Sequence, residues 1–218
     1  MPENKDSDWD WAEFVARNNN ELVATWGNLA NRVLSFCYRN WEGRVPGIDI
    51  RQLRPADRDL LAYIESGLDS IGRELEAVHL RSALQETMRL ASLVNQYLDQ
   101  TAPWTTLKQN RDEASLSVFT ALKAIDSLKV LFSPFLPFTC QRLHGFMGYE
   151  GGLFGGSQIE TVEDSLGEHR VLRYLQPTGR VAWEPSQLEP GRQLNEPGPL
   201  FKKLDEAVIE AERARLGK

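Results

Sequence analysis

Apolar residues that recur at three- and four-residue steps, segment after segment, limit this chain to helices packed on helices. From Glu21 they fall at Leu22, Trp26, Leu29, Val33 and Phe36, which is one face of a helix. Gly43, Pro46 and Gly47 end that pattern. A second stripe follows Pro55, a good first-turn residue, through Leu61, Ile64, Leu68, Ile71, Leu75 and Val78. A third runs from Leu80 through Leu84, Met88, Ala91 and Val94 to Leu98 and stops before Pro103. The fourth spans about 112–132, with Leu116, Phe119, Leu122, Ile125 and Leu128 inward, and a short fifth follows Pro137 to the Gly145 region. Short connections between successive amphipathic helices make the expected fold all-α, an antiparallel five-helix bundle. At the N-terminal end, Ser7 with Asp10 three residues on has the spacing of a capping arrangement, and Asn18, Asn19 and Asn20 are expected to cap the helix starting near Glu21.

Past Gly148 the texture changes. Four glycines fall within residues 151–156, and Pro177, Pro185, Pro190, Pro197 and Pro199 punctuate a stretch with little periodicity, in which Val171 to Leu175 is the one strand-like run. Residues 204–218 are again helix-forming and mostly polar. The organisation expected is a bundle over 1–148, an irregular Gly/Pro-rich arm packing on it over 149–203, and a C-terminal helix or linker over 204–218.

Charge narrows the function. With 25 Lys and Arg against 31 Asp and Glu the net charge is -6, so the chain is not built to coat nucleic acid, DNA included, through a broad basic surface. Any such role rests on a few side chains. No apolar run is long enough to span a membrane, residues 1–13 are acidic rather than basic-then-apolar, and two unpaired cysteines suit a reducing compartment. Together these point to a cytoplasmic protein.

Beside the apolar face of the first long helix, Asn28, Arg32, Ser35 and Arg39 are spaced 4, 3 and 4 and form a polar ridge. Asn carries a donor and an acceptor, and Arg a planar fork of donors, which suits the edge of an unpaired base. Asn95 lies near the end of the third helix, and Trp104 follows Pro103 just past it, where an exposed indole offers a stacking surface. The plain alternative is a solvated ridge and a tryptophan serving as a core anchor. Cys140 and His144 share a helical face but supply only two ligands where zinc needs three or four, so they read as a core cysteine and a surface histidine. Cys37 has no base beside it and reads as core. The glycine cluster lacks the lysine of a phosphate loop and reads as a flexible turn.

Four segments resemble one family. The runs DWAEFVARNNNELV (from Asp10), ELVATWGNLANR (Glu21 to Arg32), NQYLDQTAPW (Asn95 to Trp104) and PGPLFKKLD (Pro197 to Asp205) are similar, in order and spacing, to the anticodon-binding domain of methionyl-tRNA synthetases. The resemblance implies the class I synthetase helical-bundle fold. It further implies that Asn28 and Arg32 contact anticodon bases, that Trp104 stacks beneath the wobble cytosine of CAU, and that Asn95 supports them. Ser35 and Arg39 extend the ridge without support from the family motif. The implied partners are the anticodon loop of methionine tRNA and the catalytic domain of the same synthetase, with no membrane and no DNA. Neither the HIGH-like nor the KMSKS-like catalytic segment occurs in this sequence, so this chain alone is expected to be inactive and to hold no cofactor. ATP, and zinc where the family has it, would belong to the catalytic part, and the chain would be either an excised portion or a separate subunit. The rival readings are the anticodon domain of a valyl-, isoleucyl-, leucyl- or cysteinyl-tRNA synthetase, and a helical protein-interaction scaffold without RNA binding.

Overall fold

The structure, a computed structural model, describes residues 8–175 and 183–216. Its first rod is a continuous helical path in three pieces: α1 (Trp11–Arg17), a π-helical stretch (Asn18–Gly27) and α2 (Asn28–Asn40). The Asp10 side chain caps it by accepting from the Ala12 N–H at 3.0 Å. Ser7 lies outside the described residues. Asn18, Asn19 and Asn20 do not form the N-terminal cap of a helix. They lie inside the rod, and the Asn19 amide instead pairs with the backbone of Leu204, donating to its carbonyl at 2.9 Å and accepting from its N–H at 2.9 Å.

The remaining rods are α3 (Pro55–Glu76), α4 (Leu80–Thr101), α6 (Arg111–Phe132) and α7 (Pro137–Phe146), with a one-turn α5 (Pro103–Thr106) after α4. Five rods thus make the helical bundle that the stripes predict. The helix count is higher, because α5 and a terminal α8 (Ala207–Leu216) stand beside them. Two stripes shift at their ends. Val78 is exposed, with a left-handed φ of 61° past the end of α3. Leu84 is exposed as well, and Ala83 and Thr87 take the buried positions on α4. In the centre lies α6, enclosed on nearly its whole circumference, so even Asp126 and Lys129 are buried.

The arm is not wholly irregular. Strand β1 (Gly156–Asp164) pairs antiparallel with β2 (Gly167–Leu175), Ile159 opposite Leu172 and Asp164 opposite Gly167. Val171 to Leu175 is therefore the end of a longer hairpin strand. The hairpin escapes a sequence reading because both its faces meet solvent, leaving no apolar alternation to detect.

From Trp183 onward the chain laces over the bundle. Trp183 donates from Nε1 to the Leu68 carbonyl at 2.8 Å, and the Val45 N–H donates to the Arg192 carbonyl at 2.9 Å. Gly148 (φ 74°) lets the arm pass, since a Cβ there would lie 1.8 Å from the Gln193 oxygen. Gly27 seats Phe201, whose ring a Cβ would meet at 2.8 Å.

Beneath the arm lies a buried polar cluster. The Asp126 carboxylate accepts from Lys129 Nζ at 2.5 Å, Tyr149 OH at 2.7 Å and Ser186 Oγ at 2.6 Å. His144 is half-buried rather than a surface residue, stacked on Tyr149 at 4.7 Å between ring centroids, with Nδ1 3.1 Å from Lys129 Nζ. Burial, then the Lys129 and Arg192 charges, lower its pKa to about 4 against the opposing pull of Asp126. Between pH 6.5 and 4 the unfolded chain therefore binds a proton that the folded chain refuses, and stability falls as pH drops through that window. A His144→Gln variant, measured by urea unfolding from pH 7 to 4.5, is expected to lose less stability on acidification than the parent. An equal loss in both would assign the acid sensitivity to other groups.

Candidate nucleic-acid interface

A second buried network fixes the end of α4, from which the tryptophan follows. Asp57, with no solvent exposure, accepts from Arg54 Nη2 at 2.8 Å and from Tyr97 OH at 2.6 Å, while Arg54 Nη2 also donates to Ser117 Oγ at 2.8 Å. These bonds tie α3, α4 and α6 together. Burial alone would raise the Asp57 pKa, but the hydrogen bonds from Arg54 and Tyr97 outweigh it and hold the carboxyl below its ordinary value.

Just beyond Tyr97 the helix stops. Ala102 takes a left-handed conformation (φ 39°, ψ 56°), and Pro103 starts the single turn of α5. Pro103 cannot extend α4, and its ring disfavours a helical residue before it. This break costs Ala102 about 1–2 kcal/mol and turns Trp104 sideways toward α2.

Trp104 is half-buried rather than freely exposed. Its ring meets that of Phe36 in a T-shaped contact at 6.0 Å between centroids, and the Arg32 guanidinium lies over its face, Cζ 4.4 Å from the centroid. Phe36 in turn meets Trp41 at 5.8 Å, and Trp41 is anchored through Nε1 to Ser115 Oγ at 3.1 Å. A row of aromatics thus joins α2 to α6, with its last ring at the surface beneath a cation.

Beside Trp104 opens a cleft of about 660 Å³, lined by Asn31, Arg32, Ser35, Arg39 and Trp104 among others. A second hollow of about 370 Å³ adjoins it, lined by Asn28, Asn31, Arg32 and Asn95. Arg32 and Asn31 form the shared wall. All six residues of the sequence reading therefore reach this face, three of them (Ser35, Arg39 and Trp104) on one side of the wall and two (Asn28 and Asn95) on the other.

Their hydrogen bonds differ in a way that spacing does not reveal. Within the described residues, the Asn28 amide and the Arg32 guanidinium make no hydrogen bond or ion pair, leaving their donors unspent. Arg39 donates from Nε to the Ser35 carbonyl at 3.1 Å, which steers its guanidinium along the helix. Asn95 spends its amide N–H groups on the Thr25 and Ala91 carbonyls, at 3.2 and 3.3 Å, and so ties α4 to the π-helical stretch. The sequence reading did not include Asn31. It does lie inside the N-L-A-N-R run, three residues from Asn28 and four from Ser35, so the same spacing rule could have found it.

The thiols of Cys37 and Cys140 are buried, and burial pushes both up to about 12, as expected for core cysteines. No group of three or more His, Cys, Asp or Glu side chains gathers as a metal site among the described residues. Nor is any helix among them long and apolar enough to cross a membrane.

Residues 49–167 match the family model for the anticodon binding domain of methionyl tRNA ligase. The chain belongs to this anticodon-binding family. Residues 1–34, which carry Asn28 and Arg32, match a model of the class I tRNA synthetases (M). The Methionine--tRNA ligase of Chloroflexus aggregans is 48% identical over 218 residues, covering 99% of this chain and 36% of that protein. That of Thermomicrobium roseum is 48% identical over 217 residues, covering 37% of its length. In fold, the chain is similar to the apo methionyl-tRNA synthetase of Mycobacterium tuberculosis, with a TM-score of 0.74 at 20% identity over 94% of this chain and 37% of that one. The anticodon-binding domain described here thus spans little more than a third of the length of the relatives it matches.

Proposed function

We propose that this domain recognises the CAU anticodon of methionine tRNA, with Trp104 as the stacking platform and Arg32 and Asn28 as the groups that read base edges. The observation that carries the reading is the Arg32 guanidinium lying 4.4 Å over the Trp104 ring with no other partner among the described residues, at the wall between two open hollows. Sequence-specific RNA recognition uses splayed single-stranded bases, stacked on aromatic or guanidinium planes and hydrogen-bonded along their edges. In the free domain the cation covers the face a base would use. A stacking base displaces it at a cost of about 0.5–1 kcal/mol of cation–π attraction. The displaced guanidinium then has its fork of donors free for the base edge, which offsets that cost.

Recognition of this kind needs few charges, so it is compatible with a net charge of -6. In the intact ligase the catalytic domain supplies ATP-dependent aminoacyl chemistry, and this domain supplies specificity by favouring tRNAs whose acceptor end then reaches that domain. Asn95 supports the platform by holding α4 against the first rod, and Ser35 and Arg39 extend the cleft beyond Trp104.

Titrations of CAU and wobble-substituted anticodon stem-loops test the edge-reading roles. Arg32→Ala is expected to reduce the preference for CAU by about 1.5–3 kcal/mol, the worth of a charge-assisted hydrogen bond, and Asn28→Ala by about 0.5–1.5 kcal/mol. If both variants weaken every loop equally, these residues contact phosphate, and the edge-reading role is wrong.

A further inference from the structure

We infer that Asn31 is an additional base-reading residue of this interface and that Ser35 serves as its positioning residue. The inference rests on the anticodon-recognition reading above and assigns a role within it. Asn31 lines both hollows and is half-buried in the wall between them, beside Arg32. A base entering from either side meets this side chain.

What gives the amide a direction is Ser35, one turn further on, whose hydroxyl donates to Asn31 Oδ1 at 3.3 Å. With the oxygen engaged, Nδ2 is left without a partner among the described residues and presents two donors. An unengaged amide samples several rotamers and pays ordering entropy on binding, whereas one held by a neighbouring hydroxyl has less to lose. Ser35 is itself held. Its backbone carbonyl accepts from Arg39 Nε, and it sits on the same turn as Phe36, whose ring packs against Trp104. The ridge residue proposed from spacing to face RNA therefore acts through its neighbour.

The assignment separates Asn31 from Asn28. Asn28 lines only the hollow shared with Asn95, whereas Asn31 borders the Trp104 cleft as well. Donors presented from the wall suit acceptor atoms on a base edge, such as a carbonyl oxygen or ring nitrogen.

The test is a set of coupling measurements on the 218-residue chain with the CAU stem-loop and three single-abasic versions of it, one for each anticodon position. Asn31→Ala is expected to weaken the CAU loop about three- to tenfold, the worth of one hydrogen bond. That loss should vanish on the abasic loop lacking the base it reads and persist on the other two. Asn31→Asp keeps the acceptor but removes the donors, and is expected to lose at least as much as Asn31→Ala. Ser35→Ala should weaken the same loop about two- to threefold, with no further loss when Asn31 is already alanine, and Ser35→Thr should restore binding. Equal weakening of all four loops by Asn31→Ala, or full binding by Asn31→Asp, would overturn the assignment while leaving the parent reading intact. Failure of the unmodified chain to prefer CAU over a scrambled loop would overturn both.

Discussion

Trp104→Ala is expected to weaken binding of the CAU stem-loop by about 1–3 kcal/mol, the usual worth of one base stacked on an aromatic ring. In equilibrium terms this is between about fivefold and somewhat over a hundredfold. Two opposing effects combine in the number. The base loses its platform, and against this the variant no longer has to displace the Arg32 guanidinium that lies 4.4 Å over the ring in the free domain. Because Trp104 also packs on Phe36, the alanine variant relaxes the aromatic row as well. Trp104→Phe keeps an aromatic face and is expected to retain most of the affinity. Binding by the phenylalanine variant as weak as by the alanine variant would mean that the indole is needed for packing or for its N–H group, and not as a stacking plane.

The largest effect on stability is expected from Asp126→Ala, at about 3–5 kcal/mol, the cost of stripping one partner from a buried ion pair. Three donors converge on this carboxylate, and the substitution leaves Lys129, buried in the centre of the bundle, without its counter-ion. The Lys129 ammonium also sits 4.3 Å from the Tyr149 centroid, and Arg192 lies 4.1 Å from the same ring, so an uncompensated charge would meet further positive charge. A domain of this size has about 5–15 kcal/mol in total, so urea unfolding should show a large drop in midpoint. Ser186 of the arm loses its hydroxyl bond to Asp126 and keeps its N–H bond to Ser127 Oγ at 2.9 Å. The arm should therefore loosen before the bundle unfolds, with earlier proteolysis near residues 183–195. Asp126→Leu combined with Lys129→Met removes the buried charges together and is expected to recover much of the loss. A single variant as stable as the parent would show that the pair contributes nothing net.

The bundle was legible because its information is periodic. Leu29, Val33, Ile64, Ile71, Val94, Phe119 and Ile125 all follow the helical repeat, and all are buried. The central place of α6 was partly legible, since its apolar stripe was evident. Its buried Asp126 and Lys129 were not, because a charge on a helix is ordinarily a solvated one, and here His144 of α7 together with Tyr149 and Ser186 covers the pair. The hairpin at 156–175 was hidden for the opposite reason, as it buries neither face. In the interface, spacing brought Asn28, Arg32, Ser35 and Arg39 onto one ridge, and Pro103 marked the helix break that turns Trp104 toward it. Spacing could not show that Asn95 has its amide committed to backbone carbonyls, or that Arg32 lies over the indole. Those contacts join segments some seventy residues apart in sequence.

The most direct test of the central claim is a two-by-two comparison of affinities: parent chain and Trp104→Ala, each against the CAU stem-loop and the same loop with an abasic site at the wobble position. Base stacking on Trp104 predicts that the abasic site weakens the parent by about the same 1–3 kcal/mol as the alanine substitution, and weakens the alanine variant hardly at all. Losses that simply add, with the abasic loop still bound more weakly by the alanine variant in full proportion, would mean that the wobble base does not lie on this ring.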